Sequence, residues 1–130
     1  MLRQPNILNP RLLSVLAGAG HTDLIVIADA GLPVQPGVEI VDLSLVAGVP
    51  SFLQVFDAIR ATFVFERSFL ARESNDQPLM KELRPRLDGV PVEEISHDEL
   101  KQRVGAARAV IRTGECTPYA NIGLIAGVTF

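Results

Sequence analysis

A histidine and an aspartate that flank one apolar run are the first candidates for proton transfer in this chain. His21 precedes the run Leu24–Ala28, and Asp29 directly follows it. The run has the composition of a strand buried on both faces, and the end of such a strand is where open α/β sheets usually bind ligands. At about 3.3 Å per residue, the two side chains lie on the order of 20 Å apart. If both act on one small ligand, one of them comes from a neighbouring subunit.

The second histidine falls at the start of a predicted helix. Ser96 and Glu99 have the spacing of a capping box, which places His97 in the first helical turn. The helix dipole favours the neutral ring there, and a neutral imidazole donates from one nitrogen and accepts at the other. For His97, as for His21, the alternative is a solvated histidine without a partner.

A polar segment, residues 112–121, separates two apolar strands and contains the single tyrosine of the chain. Tyr119 and Asn121 can supply a hydroxyl, an amide and, together with Ala120, backbone groups to a polyhydroxylated ligand. The alternative is a turn in which asparagine and proline only shape the backbone. The sequence shows no cysteine–histidine spacing that would indicate a catalytic pair at Cys116. We therefore expect a small buried thiol and not a nucleophile.

Hydrophobic periodicity predicts alternating helices and strands around these residues. Asn9-Pro10 is typical of a helix start, and Gly20 is expected to end that helix at the C′ position. Pro91 places its strand at a sheet edge, because proline cannot complete a ladder. We predict strands over 24–28, 38–43, 63–71, 90–95, 109–111 and 122–126, with helices before the first strand, from Pro50 or Ser51, near Leu79–Leu87 and from Ser96. The fold class is α/β, a single compact domain over residues 1–130 with a mostly parallel central sheet flanked by helices.

Composition excludes several kinds of protein. The chain has 130 residues, a formal net charge of −3 and no basic cluster, which argues against a nucleic-acid partner. No apolar run is long enough for a membrane span, so no membrane partner is predicted and the cytoplasm is the expected location. A single cysteine and two distant histidines give no support to a disulfide or a metal site. Hydrophobic residues make up 48% of the chain, and this excess predicts the buried interfaces of a homo-oligomer.

Several sequence blocks resemble the D-ribose pyranase family, which is grouped with the L-fucose mutarotases in one superfamily. The blocks are Gly20-His21-Thr22-Asp23, Asp29-Ala30-Gly31-Leu32-Pro33, Gly48-Val49-Pro50-Ser51-Phe52, the segment 112–122 and the ending Ala126-Gly127-Val128-Thr129-Phe130. The similarity spans nearly the whole chain and weakens between about Arg67 and Glu94. Gly31 favours the pyranase branch over the mutarotases.

The resemblance implies that His21 is the catalytic general acid or base, and that Asp29, His97 and the segment Tyr119-Ala120-Asn121 bind the sugar. It implies interconversion of β-D-ribopyranose and β-D-ribofuranose, which requires no cofactor, in a cytoplasmic ring-forming homo-oligomer, a decamer of two stacked pentamers with sites between subunits. Asp29 is either a base or only a sugar ligand. A mutarotase for another sugar such as L-fucose and a non-catalytic sugar-binding subunit remain alternatives. The apolar ending Val128-Thr129-Phe130 is expected to pack near a subunit contact.

Overall fold

The structure, a computed structural model, describes residues 1–3 and 7–130 and consists of a six-stranded sheet with helices on both faces. The predicted domain, residues 1–130, includes residues 4–6, which lie outside this description. The strands are β1 (Leu24–Ala28), β2 (Glu39–Asp42), β3 (Phe65–Ala71), β4 (Val92–Ile95), β5 (Ala109–Arg112) and β6 (Ile122–Ala126). The helices are α1 (Pro10–Gly18), α2 (Phe52–Arg60), α3 (Leu79–Arg86) and α4 (His97–Val104), and a short 3₁₀ helix covers Arg72–Asp76.

The strand order is β2-β5-β1-β6-β3-β4, and only β6 runs against the other five. The predicted mostly parallel sheet is therefore confirmed, and β4 lies at an edge as Pro91 indicated. The ends of β1 to β5 and the beginning of β6 meet on one side of the sheet, which we call the carboxyl edge. The opposite side, where β1 to β5 begin and β6 ends, is the amino edge.

Strand β1 lies in the interior of the sheet and is buried on both faces. Ile25 and Ile27 belong to a core cluster that includes side chains of α1, α2 and α3. Val26 and Ala28 point to the other face and belong to a second cluster with side chains of α4. This burial on both faces explains the unbroken apolar run. Polar side chains that could react with a ligand therefore lie beyond the two ends of the strand.

The predicted end of α1 is wrong in one respect. Helix α1 ends at Gly18 and Ala19 is its extended C-cap, but Gly20 does not adopt the left-handed conformation of a C′ glycine. The left-handed residue is Thr22, with φ 73°. Its N–H donates to the carbonyl of Ala126 at 2.9 Å, so a long-range bond to β6 fixes this turn in place of a helix-terminal motif.

The capping box predicted for α4 is half correct. The Glu99 N–H donates to Ser96 Oγ at 3.1 Å, so Ser96 caps the helix. The Glu99 carboxylate, however, does not reach back, because it accepts a hydrogen bond from Arg103 one turn further along. Within the described ranges, none of the helices has the length and apolar character needed to cross a membrane.

Candidate functional site at the carboxyl edge

The carboxyl edge brings Asp29 and Asn121 together in a reciprocal pair. The Asp29 N–H donates to Asn121 Oδ1 at 2.9 Å, and Asn121 Nδ2 donates to Asp29 Oδ2 at 3.0 Å. The other carboxylate oxygen accepts the N–H of Gly31 at 2.9 Å. Asn121 is fully buried whereas Asp29 is half-buried. Each carboxylate oxygen keeps a free lone pair, so Asp29 can accept hydroxyl groups while Asn121 and Gly31 hold it in one orientation.

Asp29 opens onto a cleft of about 400 Å³ lined by its own turn and by the loop after β5. Glu115 fixes that loop, since its carbonyl accepts from Ala30 N–H at 2.8 Å and its carboxylate accepts from Phe52 N–H at the start of α2. Cys116 lines the same cleft and is exposed, so the prediction of a buried thiol is wrong. Two further backbone bonds hold the loop, because Thr113 N–H donates to the Ala28 carbonyl and Gly114 N–H donates to the Pro50 carbonyl.

His97 and Tyr119 lie against each other beside this pair. Their ring centroids are 5.0 Å apart and the rings are nearly perpendicular, a favourable edge-to-face contact. His97 Nδ1 is buried and has no hydrogen-bond partner within the described residues. Because Asn121 N–H also donates to the Tyr119 carbonyl, the segment 119–121 joins the aromatic contact to Asp29. Asp29, His97, Tyr119, Ala120 and Asn121 are thus gathered at one edge of a single chain.

A carboxylate that sequence reasoning missed holds His97 in place. Both oxygens of Glu73 accept the His97 N–H, at 2.9 and 3.1 Å, where the first turn of α4 leaves its amides free. This backbone hydrogen bond lowers the pKa of the Glu73 carboxyl below its ordinary value. The nearest sequence signal was the polar segment after β3, but its partner lies 24 residues away and could not be assigned from local pattern.

Backbone strain coincides with the predicted site residues. Tyr119 has φ 62° and Thr22, next to His21, has φ 73°; in the part of the chain that the structure describes, these are the two residues other than glycine with positive φ. Such conformations cost on the order of 1–3 kcal/mol and persist where the surrounding structure over-determines them. Both turns are therefore held in shape by their neighbours, as is common for residues that must present a group to a ligand.

His21 is the one predicted site residue that the fold does not bring to this edge. It lies at the amino edge, half-exposed, with Nε2 3.0 Å from Glu66 Oε2. The separation of His21 and Asp29 by the length of β1 agrees with the expectation that one chain cannot bring both to one small ligand. In the sequence, Glu66 is a charged residue within the predicted strand 63–71, and no local pattern indicates that it lies near His21. No group of three or more metal-ligating side chains is found among residues 1–3 and 7–130.

The carboxyl edge of this mostly parallel α/β sheet presents a held carboxylate on an open cleft, and an imidazole and a phenol pack together at the same edge. This arrangement is typical of a protein that binds small polyhydroxylated molecules. The sequence profile of the RbsD / FucU transport protein family matches residues 2–129. The chain belongs to this family.

Curated relatives in this family are similar over nearly their whole length. The D-ribose pyranase of Chromobacterium violaceum is 52% identical over 126 residues, 95% of this chain and 96% of the relative. The D-ribose pyranase of Symbiobacterium thermophilum is 48% identical over 131 residues, 99% of this chain and 100% of the relative. The resemblance to D-ribose pyranases drawn from the sequence blocks is confirmed.

Solved structures of the family share the fold. The structure of Bacillus subtilis RbsD complexed with D-ribose has a TM-score of 0.93 and 44% identity, and the match covers 99% of this chain and 100% of that one. The fucose mutarotase of Streptococcus pneumoniae, in complex with L-fucose, has a TM-score of 0.79 and 25% identity over 94% of each chain. The pyranase branch is thus the nearer of the two in both sequence and structure.

Proposed function

We propose that this protein is an isomerase that interconverts the pyranose and furanose forms of D-ribose. The observation that carries the proposal is the 52% identity to a D-ribose pyranase over 95% of the chain, together with a site at the carboxyl edge whose groups suit a sugar. Asp29 accepts sugar hydroxyls, and His97 and the segment 119–121 hold the ring. Asn121 also orients Asp29, because its side-chain amide makes two hydrogen bonds to that residue.

The reaction opens one ring and closes another. The anomeric hydroxyl loses a proton as its oxygen becomes the aldehyde oxygen, and the ring oxygen gains a proton as its bond to the anomeric carbon breaks. A different hydroxyl then recloses on the aldehyde. In this proposal His21 protonates the ring oxygen, since histidine exchanges protons near neutral pH. Asp29 orients the hydroxyls. The alternative role for Asp29 is that of the base that removes the proton from the anomeric hydroxyl.

His21 would reach the sugar from a second copy of the chain. The amino edge of one copy, with His21, would face the carboxyl edge of the next, a head-to-tail contact that closes into a ring. Apolar side chains exposed in the single chain support such contacts: Leu45 is 76% and Val46 is 61% exposed in the turn after β2, and Phe130 is fully exposed. The decamer of two pentamers, the packed C-terminal residues and a cytoplasmic location belong to the same proposal.

The test is proton NMR saturation transfer between the pyranose and furanose anomeric signals of D-ribose. Wild-type protein should transfer saturation between ring forms, and His21→Ala should keep its fold and bind ribose while losing on the order of 10²–10⁴-fold in exchange rate. Unchanged exchange in His21→Ala would remove His21 from the mechanism. Ribose binding by the wild-type protein without any exchange would leave a non-catalytic binding subunit as the better account.

The structural likeness to a fucose mutarotase supports one second candidate, an enzyme that interconverts only the anomers of another sugar. The same NMR experiment on a panel of sugars separates the two. Exchange between the ring forms of D-ribose supports the pyranase, whereas exchange confined to the α and β anomers of L-fucose supports the mutarotase.

A further inference from the structure

The imidazole of His21 is held by a carboxylate at one nitrogen only. His21 Nε2 and Glu66 Oε2 are 3.0 Å apart, and the two side chains are 51% and 40% exposed. An ionised carboxylate only accepts hydrogen bonds, so Nε2 carries the hydrogen and donates it. Within residues 1–3 and 7–130, His21 Nδ1 makes no hydrogen bond. The contact therefore fixes the tautomer, and Nδ1 of this half-exposed side chain is left without a partner among the described residues.

Two irregular backbone segments, a bulge and a turn, carry Glu66 and His21. Strand β3 pairs with β6 through Phe65 opposite Ala126 and Arg67 opposite Ile125, which leaves Glu66 as the extra residue of a bulge. Bulges re-aim a side chain and are common beside active sites. The turn that carries His21 is tied to the same end of β6 by Thr22 N–H donating to the Ala126 carbonyl. Both members of the pair are thus anchored at Ala126.

We propose that Glu66 is a positioning residue for His21: it holds the Nε2–H tautomer so that Nδ1 is the atom that exchanges protons with the sugar. The proposal rests on His21 being the acid–base group of the proposed function. During ring opening, Nδ1–H of the protonated ring gives its proton to the ring oxygen as the bond to the anomeric carbon breaks. The anomeric hydroxyl releases one proton to water as its oxygen becomes the aldehyde oxygen, and Nδ1 takes one proton back from water, so the number of protons is unchanged. Glu66 touches no reacting atom.

The tautomer can be observed directly because the chain contains two histidines, His21 and His97. We would label both rings with ¹⁵N and record two-bond proton–nitrogen correlations at a pH where the rings are neutral, with His97→Gln assigning the signals. His21 should show a protonated Nε2 and an unprotonated Nδ1, and the Nε2 signal should move in Glu66→Ala. A protonated Nδ1 in the wild-type protein, or no movement in Glu66→Ala, would overturn the proposal.

Kinetics supply the second readout. Glu66→Ala should lower kcat for pyranose–furanose exchange about 10–100-fold with KM unchanged, as expected when a reacting group is misplaced and substrate contacts are kept. Glu66→Gln, which retains an acceptor, should lose less. The matched control is Glu82→Ala, which removes an exposed carboxylate from α3 and should be as active as wild type.

The two proposals can fail separately. If His21→Ala is inactive while Glu66→Ala and Glu66→Gln keep the wild-type kcat, Glu66 has no positioning role and the proposed function stands. If His21→Ala is fully active, the catalytic assignment of His21 fails, and with it the role of Glu66 in the reaction, whatever tautomer the NMR experiment finds.

Discussion

The pairing of Asp29 with Asn121 makes a pH-dependent prediction for the substitution Asn121→Asp. The new side chain keeps an oxygen for the Asp29 N–H but replaces Nδ2 by a second carboxylate oxygen, which would lie near the present 3.0 Å from Asp29 Oδ2. Two like charges at about 3 Å repel by about 5–6 kcal/mol at an effective dielectric constant of 20. The pair avoids this cost at neutral pH by sharing one proton.

The size of the effect follows from the cost of that proton. An aspartate in the unfolded chain titrates near about 3.9, so holding one proton costs at most about 4 kcal/mol at pH 7 and about 1.5 kcal/mol at pH 5, at about 1.36 kcal/mol per pH unit. The folded variant binds one more proton than its unfolded chain over this range. Its stability therefore falls as pH rises, and the deficit relative to wild type grows by roughly 2–3 kcal/mol between pH 5 and pH 7.

Asn121→Ala is the matched comparison. It removes the same two hydrogen bonds without adding a charge, which costs about 2–4.5 kcal/mol when one bond is to a carboxylate. That loss should be the same at pH 5 and pH 7.

The assay is urea denaturation followed by circular dichroism at both pH values, with all three proteins at one protomer concentration, because assembly shifts apparent stability. The difference from wild type at each pH cancels the titration of the remaining groups. If Asn121→Asp shows a deficit that does not depend on pH, or no deficit, the inferred proximity of these two side chains is refuted.

Two further predictions concern the supports of the site. Gly114→Ala should destabilise the protein by about 1–3 kcal/mol in urea denaturation, because the added Cβ would lie 2.7 Å from the carbonyl oxygen of Val46. The control is Gly20→Ala, which should be tolerated because its Cβ would have no neighbour closer than 3.8 Å. Equal stability of the two variants would contradict the argument. Because the pKa of Glu73 is lowered from 4.5 on folding, its contact with His97 stabilises the protein above about pH 4.5 and is lost as pH falls through the folded value. Glu73→Gln should therefore be less stable than wild type at pH 7, with the difference shrinking as pH falls through the folded pKa of Glu73, and a difference that is equally large in acid would count against this contact.

The sequence was sufficient for elements whose signals are local. Five consecutive apolar residues and a following aspartate located β1 and the end of it that carries the candidate site, because burial on both faces leaves no room for polar residues within the strand. Asn9 was identified as a cap because its side chain needs only the amide three residues ahead, and Leu12 N–H does donate to it at 2.9 Å.

Predictions that depended on distant partners were less complete. Asn121 was predicted as a sugar ligand, but the hydrogen bond of its amide to Asp29, 92 positions earlier, was not predicted. Glu66 interrupts the apolar pattern of its strand in the sequence, and its contact with His21, 45 positions away, could not be predicted from that pattern. Thr22 adopts the conformation expected of a glycine because β6 supplies its hydrogen bond. In each case strand pairing, which local sequence does not encode, determined the outcome.

The central claim is that ribose exchange takes place at a site shared between two copies of the chain, and subunit mixing tests it most directly. His21→Ala and His97→Ala alter opposite edges of the sheet, so each variant alone should have little or no pyranose–furanose exchange. When the two are co-expressed and assembled at random in equal amounts, about one quarter of the sites should combine an intact amino edge with an intact carboxyl edge. Exchange near a quarter of the wild-type rate is the predicted result, and a mixture no more active than the two separate variants would contradict a shared site.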